Sequence, residues 1–200
     1  MDEARPSIKG TGFGSAVADV QTALEQGQLT NDQLEAALEA EDLRLLEAKV
    51  LPGDWYSIAT YGRILDLLCA AVGAGSSRYH VMRGRRAAER LTSSGIYRQL
   101  DTAQRLNDGT QTDWQEGAAR VMLTMTGALF NFMQWKYARD PERTGAFSIT
   151  VTGADAFPEA GRLTIQGVIE YATEAIVGGS VLVESTRPEP GRIVFRVATG

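Results

Sequence analysis

Residues Phe147 to Val197 read FSITVTGADAFPEAGRLTIQGVIEYATEAIVGGSVLVESTRPEPGRIVFRV, and their order decides the fold. Phe147, Ile149 and Val151 alternate with Ser148 and Thr150, the period of a strand with one buried face. Apolar residues then recur at helical spacing from Pro158 to Ile176. Gly178 and Gly179 supply the stop, because glycine adopts left-handed backbone without steric cost. A hairpin follows and ends on Ile193, Phe195 and Val197. Helices upstream, then strand, helix and hairpin, predict an α+β fold in which helices pack on a small antiparallel sheet.

Upstream of that stretch the sequence reads as helices. Residues 1 to 12 form a lead-in, Ser15 caps a helix carrying Val17, Val20 and Leu24, and Gly27 stops it. Thr30 with Gln33 is a capping-box pattern that opens a charged helix bearing Leu34, Leu38 and Leu45. Residues 1–50 are therefore expected to be an N-terminal helical extension, and 51–200 the α+β domain. Ile58, Tyr61, Leu65, Leu68 and Val72 predict a core-facing helix over 57–72. A second helix over 78–91 stacks Val81, Gly84, Ala88 and Leu91, small residues that admit a close neighbour, and a short one is expected over 96–106. Asp113 caps a long helix over 114–137, apolar nearly all round between Val121 and Trp135 and therefore central and buried.

The totals bound the function. Two hundred residues suffice for a proper core, and a net charge of −5 argues against affinity for nucleic acid or anionic lipid. One cysteine excludes an internal disulfide and a cysteine-based zinc site. The polar first residues suggest no signal peptide, and no apolar run is long enough for a transmembrane segment, so the expected location is cytoplasmic.

Catalytic patterns are absent. The only histidine, His80, lies near no nucleophile motif, and the Gly10, Gly12, Gly14 cluster lacks both the spacing and the preceding strand of a dinucleotide loop. The expectation is no enzyme, no metal and no cofactor. Three groups remain. Arg83, Arg86 and Arg90 fall along one side of their helix, either as a solvated face or as an anion or acidic-partner patch. Met122, Met125, Phe130, Phe132, Met133 and Trp135 surround the long helix, either as core or as an adaptable wall for an apolar ligand. Cys69 sits one turn after Leu65, and such a cysteine is ordinarily an inert buried side chain.

The stretch Tyr61-Gly62-Arg63-Ile64-Leu65-Asp66-Leu67-Leu68-Cys69 resembles the opening helix of the Bet-three-type subunits of the TRAPP vesicle-tethering complexes. The following order is similar too: Arg83-Gly84-Arg85-Arg86-Ala87-Ala88 on a second helix, a long helix, a strand, a helix with Gly167-Val168-Ile169-Glu170-Tyr171-Ala172, and a closing hairpin. Bacterial vinyl-reductase-type domains and haem-NO-binding domains share this architecture, and the resemblance covers roughly residues 55–198. It implies that Cys69 faces an apolar cavity able to hold an acyl chain. Vinyl-reductase-type domains often bind zinc through cysteines of the final hairpin, and here there are none. Haem-NO sensors need a histidine on the central helix and a Tyr-x-Ser-x-Arg anchor. Both are missing, so the resemblance implies a non-haem member.

Two functions from different classes follow. The favoured one is a non-enzymatic scaffold or protein-interaction module, bacterial and homo-oligomeric, with a protein partner or a second copy (a homodimer) on its surfaces. The alternative is a sensory or carrier module that takes a lipid or aromatic small molecule beside Cys69, Leu65, Met122, Met125, Phe130 and Met133.

Overall fold

The computed structural model describes residues 5–93, 123–124, 126–143 and 145–199. Strand β1 (Ser7–Lys9) leads directly into α1 (Gly10–Glu25), followed by α2 (Asn31–Ala37), α3 (Ala40–Glu47), β2 (Trp55–Ser57), α4 (Ile58–Ala71) and α5 (Arg78–Ser93). The C-terminal part runs β3 (Gln134–Arg139), β4 (Ala146–Thr152), α6 (Glu159–Val177), β5 (Val181–Glu189) and β6 (Arg192–Thr199). The second sheet is antiparallel throughout, in the order β3-β4-β6-β5. The α+β expectation holds, and Gly178 ends α6 at φ 71°, the left-handed conformation that makes glycine the fit residue there.

Three local expectations are corrected. Residues 7–9 are not lead-in but a strand paired antiparallel with 55–57, a contact across about fifty residues that local pattern does not reveal. The helix expected beyond Thr30 is two helices. The Asp42 carboxylate accepts a hydrogen bond from the backbone N–H of Glu39 at 3.1 Å, which restarts the chain as α3. The long helix does not reach residue 137: residues 126–129 are helical, but Phe130 bridges to Ile8 and Gln134–Arg139 is a strand. Trp135 and Tyr137 alternate there with exposed Gln134 and Lys136, and β-forming aromatics on a pleat outweigh the apolar run. The expected helix over 96–106 and the start of the long one lie outside the described residues.

One core joins the two ends of the chain. Phe13, Val20, Leu34 and Leu38 belong to the same buried cluster as Ile64 and Leu65 of α4, Ile169 of α6, and Ile149, Ile193 and Phe195 of the sheet. Asp42 ties α3 to α4. Its fully buried carboxylate accepts from Thr60 Oγ1 at 2.6 Å and from Arg63 Nε and Nη2 at 2.7 and 2.8 Å. Burial opposes its ionisation, yet the Arg63 and Thr60 hydrogen bonds outweigh burial and hold the acid below its ordinary value of 3.8. A depressed folded-state pKa means stability that is present above about pH 4 and lost as pH falls through the folded value. Asp42→Asn is therefore expected to lower stability at pH 7 by about 2–3 kcal/mol and to flatten the acid limb of a urea-midpoint profile. An unchanged limb would contradict this assignment.

Candidate functional site: the inner face of strand β3

Register places Trp135 and Tyr137 opposite Val151 and Ile149, so both aromatics share the buried face of β3. Around them stands a wall of rings. Phe130 meets Phe157 edge-on at 5.0 Å, and Trp135 stacks on Phe195 and on Phe130, each at 6.3 Å. Tyr137 leans on Phe147 at 5.5 Å. Two polar atoms break this apolar surface: Trp135 Nε1 and Tyr137 Oη are buried, without a hydrogen-bond partner among the described residues. Unpaired buried donors of this kind cost about 1–3 kcal/mol each, so their pairing on one strand face is an arrangement to be explained.

The sequence-expected residues divide. Phe130, Met133 and Leu65 are buried in the core cluster, Phe130 on the aromatic wall itself. Phe130 and Met133 precede β3 as the bridge to Ile8 and the following connection, not as turns of a central helix. Met122 and Met125 lie outside the described residues. Cys69 stands apart from the wall. Its thiol lies 3.4 Å from the carbonyl of Ser76 in the turn between α4 and α5, and burial, with the charge of Asp66, pushes the thiol up from its ordinary value. At neutral pH it is protonated and a poor nucleophile.

The arginines are not one surface. Arg83 is 2 % exposed, with Nε 2.8 Å from Asp19 of α1, while Arg90 reaches the other oxygen of Asp19 at 3.0 Å and also Ser15. Arg86 is exposed, 5.8 Å from the ring centre of Tyr79. His80 is buried with Nδ1 unpartnered among the described residues. Burial pushes the imidazole down from 6.5, with Arg83 acting in the same direction and Asp66 against it. Among the described residues no three His, Cys, Asp or Glu side chains are placed to hold a metal ion, and no helix is long and apolar enough to cross a membrane.

Sequence reasoning counted Trp135 among the aromatics of a helix and passed over Tyr137. The signal that would have separated them is the period of two in Gln134-Trp135-Lys136-Tyr137.

With this layout in hand, the fold is that of the haem-NO-binding, or H-NOX, domains. A mutant T. tengcongensis H-NOX matches with a TM-score of 0.62 at 13% identity, covering 96% of this chain and 97% of that one. An H-NOX protein mutant from K. algicida, described as Fe(II) unliganded, matches at 0.63 and 10% identity, with 96% and 97% covered. A structure described as modulating haem redox potential through protein-induced porphyrin distortion matches at 0.57 and 12% identity, with 96% and 100% covered. The likeness takes in the N-terminal helices as well as the sheet. No family model matches the sequence, nor does any curated protein.

Proposed function

We propose that this chain is a non-catalytic sensory module of H-NOX-like fold that binds an apolar, largely aromatic small molecule carrying a hydrogen-bond acceptor, without haem. The carrying observation is the pair of unspent donors, Trp135 Nε1 and Tyr137 Oη, set in a wall of phenylalanines. A ligand with a carbonyl or ether oxygen would pair the donors among rings that the core already buries.

Haem does not fit the described residues. His80 is the only histidine in the chain, and it sits on α5 beside Asp66 and Arg83 instead of on the aromatic wall. Arg162 and Arg187, at the start of α6 and on β5, are engaged by Glu159 and by the carbonyls of Ser185, Ala154, Phe157 and Pro190. Neither is spare to hold a propionate.

The test uses prodan, a naphthalene ketone with polarity-sensitive emission. Binding with a blue shift is expected, weakened about threefold to tenfold in Tyr137→Phe. The same variant should raise the stability of the unliganded protein by about 1 kcal/mol, because an unpaired buried hydroxyl is removed. Loss of stability together with unchanged prodan affinity would make the hydroxyl structural and end the reading. Hemin is expected to leave no protein-bound Soret band after gel filtration. A stoichiometric band abolished by His80→Ala would replace this proposal with a haem sensor.

A further inference from the structure

The core does not end cleanly at the N-terminal helices. Leu24 of α1 and Leu43 and Leu46 of α3 pack against the buried cluster while remaining half-exposed. Between α1, α2 and α3 they leave a cleft of about 350 Å³, floored by Val20 and Leu34, walled by Leu43 and Leu46, and rimmed by Glu35 and Glu47. That volume is at the lower end of small-molecule pockets, about 300–1,000 Å³, and suits one or two aliphatic anchor side chains better than a whole ligand.

The charge around the cleft is one-sided. From Asp19 to Glu47 the chain carries eight carboxylates and one cation, Arg44. Asp19 is taken by Arg83 and Arg90, and Glu39 and Asp42 by Arg63. Glu35 and Glu47 have no ion pair within 4.0 Å among the described residues. The surface is thus an apolar floor with acidic margins.

We infer that this cleft docks an amphipathic helix of a partner protein, its aliphatic side chains entering between α1 and α3 and its lysines or arginines flanking Glu35 and Glu47. Helix-in-groove recognition joins an apolar anchor stripe to complementary rim charge in this way. The acidic margins disfavour an anionic lipid surface or a nucleic acid. The cleft is lined by α1, α2 and α3, and the aromatic wall by β3 and its neighbours, so the inference is independent of the ligand proposed there.

The test is fluorescence anisotropy of the full chain with a labelled leucine–lysine amphipathic peptide of about four helical turns. Its leucine–glutamate counterpart serves as the probe of opposite charge. Expected is binding of the leucine–lysine peptide alone, weakened about tenfold by Glu35→Lys with Glu47→Lys. Little change is expected from the equal charge reversal Glu142→Lys with Glu189→Lys, neither of which lines the cleft. Leu46→Ser should weaken binding without shifting prodan affinity. Equal loss with both charge reversals would reduce the interaction to net charge and overturn the inference, as would no binding at all. A dimer in sedimentation velocity that Leu46→Ser dissociates would also overturn it, by giving the cleft to a second copy.

Discussion

Gly84→Ala is expected to destabilise the protein by about 3 kcal/mol, and Gly167→Ala by a similar amount, against the usual sign for such a change. In an exposed helix interior, glycine to alanine gains about 1 kcal/mol because alanine is the better helix former. Here α5 and α6 cross with their backbones in contact. A Cβ on Gly84 would collide with the carbonyl oxygen of Thr164, and one on Gly167 with the carbonyl oxygen of Val81 and with Arg85 N. Neither obstacle is a side-chain tip that can swing aside, so the helices must separate. Separation would strain the ion pairs of Arg85 with Glu170 and Glu174, which cross the same interface. For a chain of this size about 3 kcal/mol is a fall of roughly 6–12 °C in Tm, measurable by circular dichroism. A rise in Tm for either variant would show that the crossing is looser than described.

That crossing was partly legible beforehand. The small-residue face of Gly84 and Ala88 announces a close neighbour, and Gly167 stands out in its helix, but nothing local says that the two glycines meet. The same limit explains what else was missed. Periodicity reads contacts within an element, so α4, α6 and the β5–β6 hairpin come out near their true bounds. Strands β1 and β2 are three residues each and exist only because they find one another. Residues 130–137 mislead in a more specific way: an apolar run satisfies a helix and a half-buried strand alike, and only the alternation of Trp135 and Tyr137 separates them. The candidate site inherited that error, since a wall of rings was visible in composition while its two unspent donors were not. Exposure of Arg83 was misjudged for another reason, while Arg86 and Arg90 are exposed as expected. Helical spacing gives direction around an axis, not what stands opposite, and Asp19 of α1 stands opposite Arg83.

Asp19→Ala is expected to cost about 3–5 kcal/mol, far more than its place on α1 suggests. The change removes the carboxylate that faces Arg83, whose side chain is 2 % exposed, and leaves a buried guanidinium with no counter-charge among the described residues. Nη2 of that guanidinium already lacks a partner among the described residues, so little remains to absorb the loss. Arg83→Met should behave differently. It withdraws the buried charge, fills the space with an aliphatic chain of similar length, and leaves Asp19 paired with the half-exposed Arg90 at 3.0 Å. Its expected cost is below about 1.5 kcal/mol, and a gain would be consistent with the general behaviour of buried ion pairs. The double variant should recover most of the loss caused by Asp19→Ala, a strongly non-additive cycle readable from urea midpoints. Additive costs would mean that Asp19 acts through packing of α1 on the core and not through the charge of Arg83. A recovered double variant would instead identify the pair as a locking contact between α1 and α5. It would fix the N-terminal helices against the rest of the fold at the expense of stability that a methionine could supply.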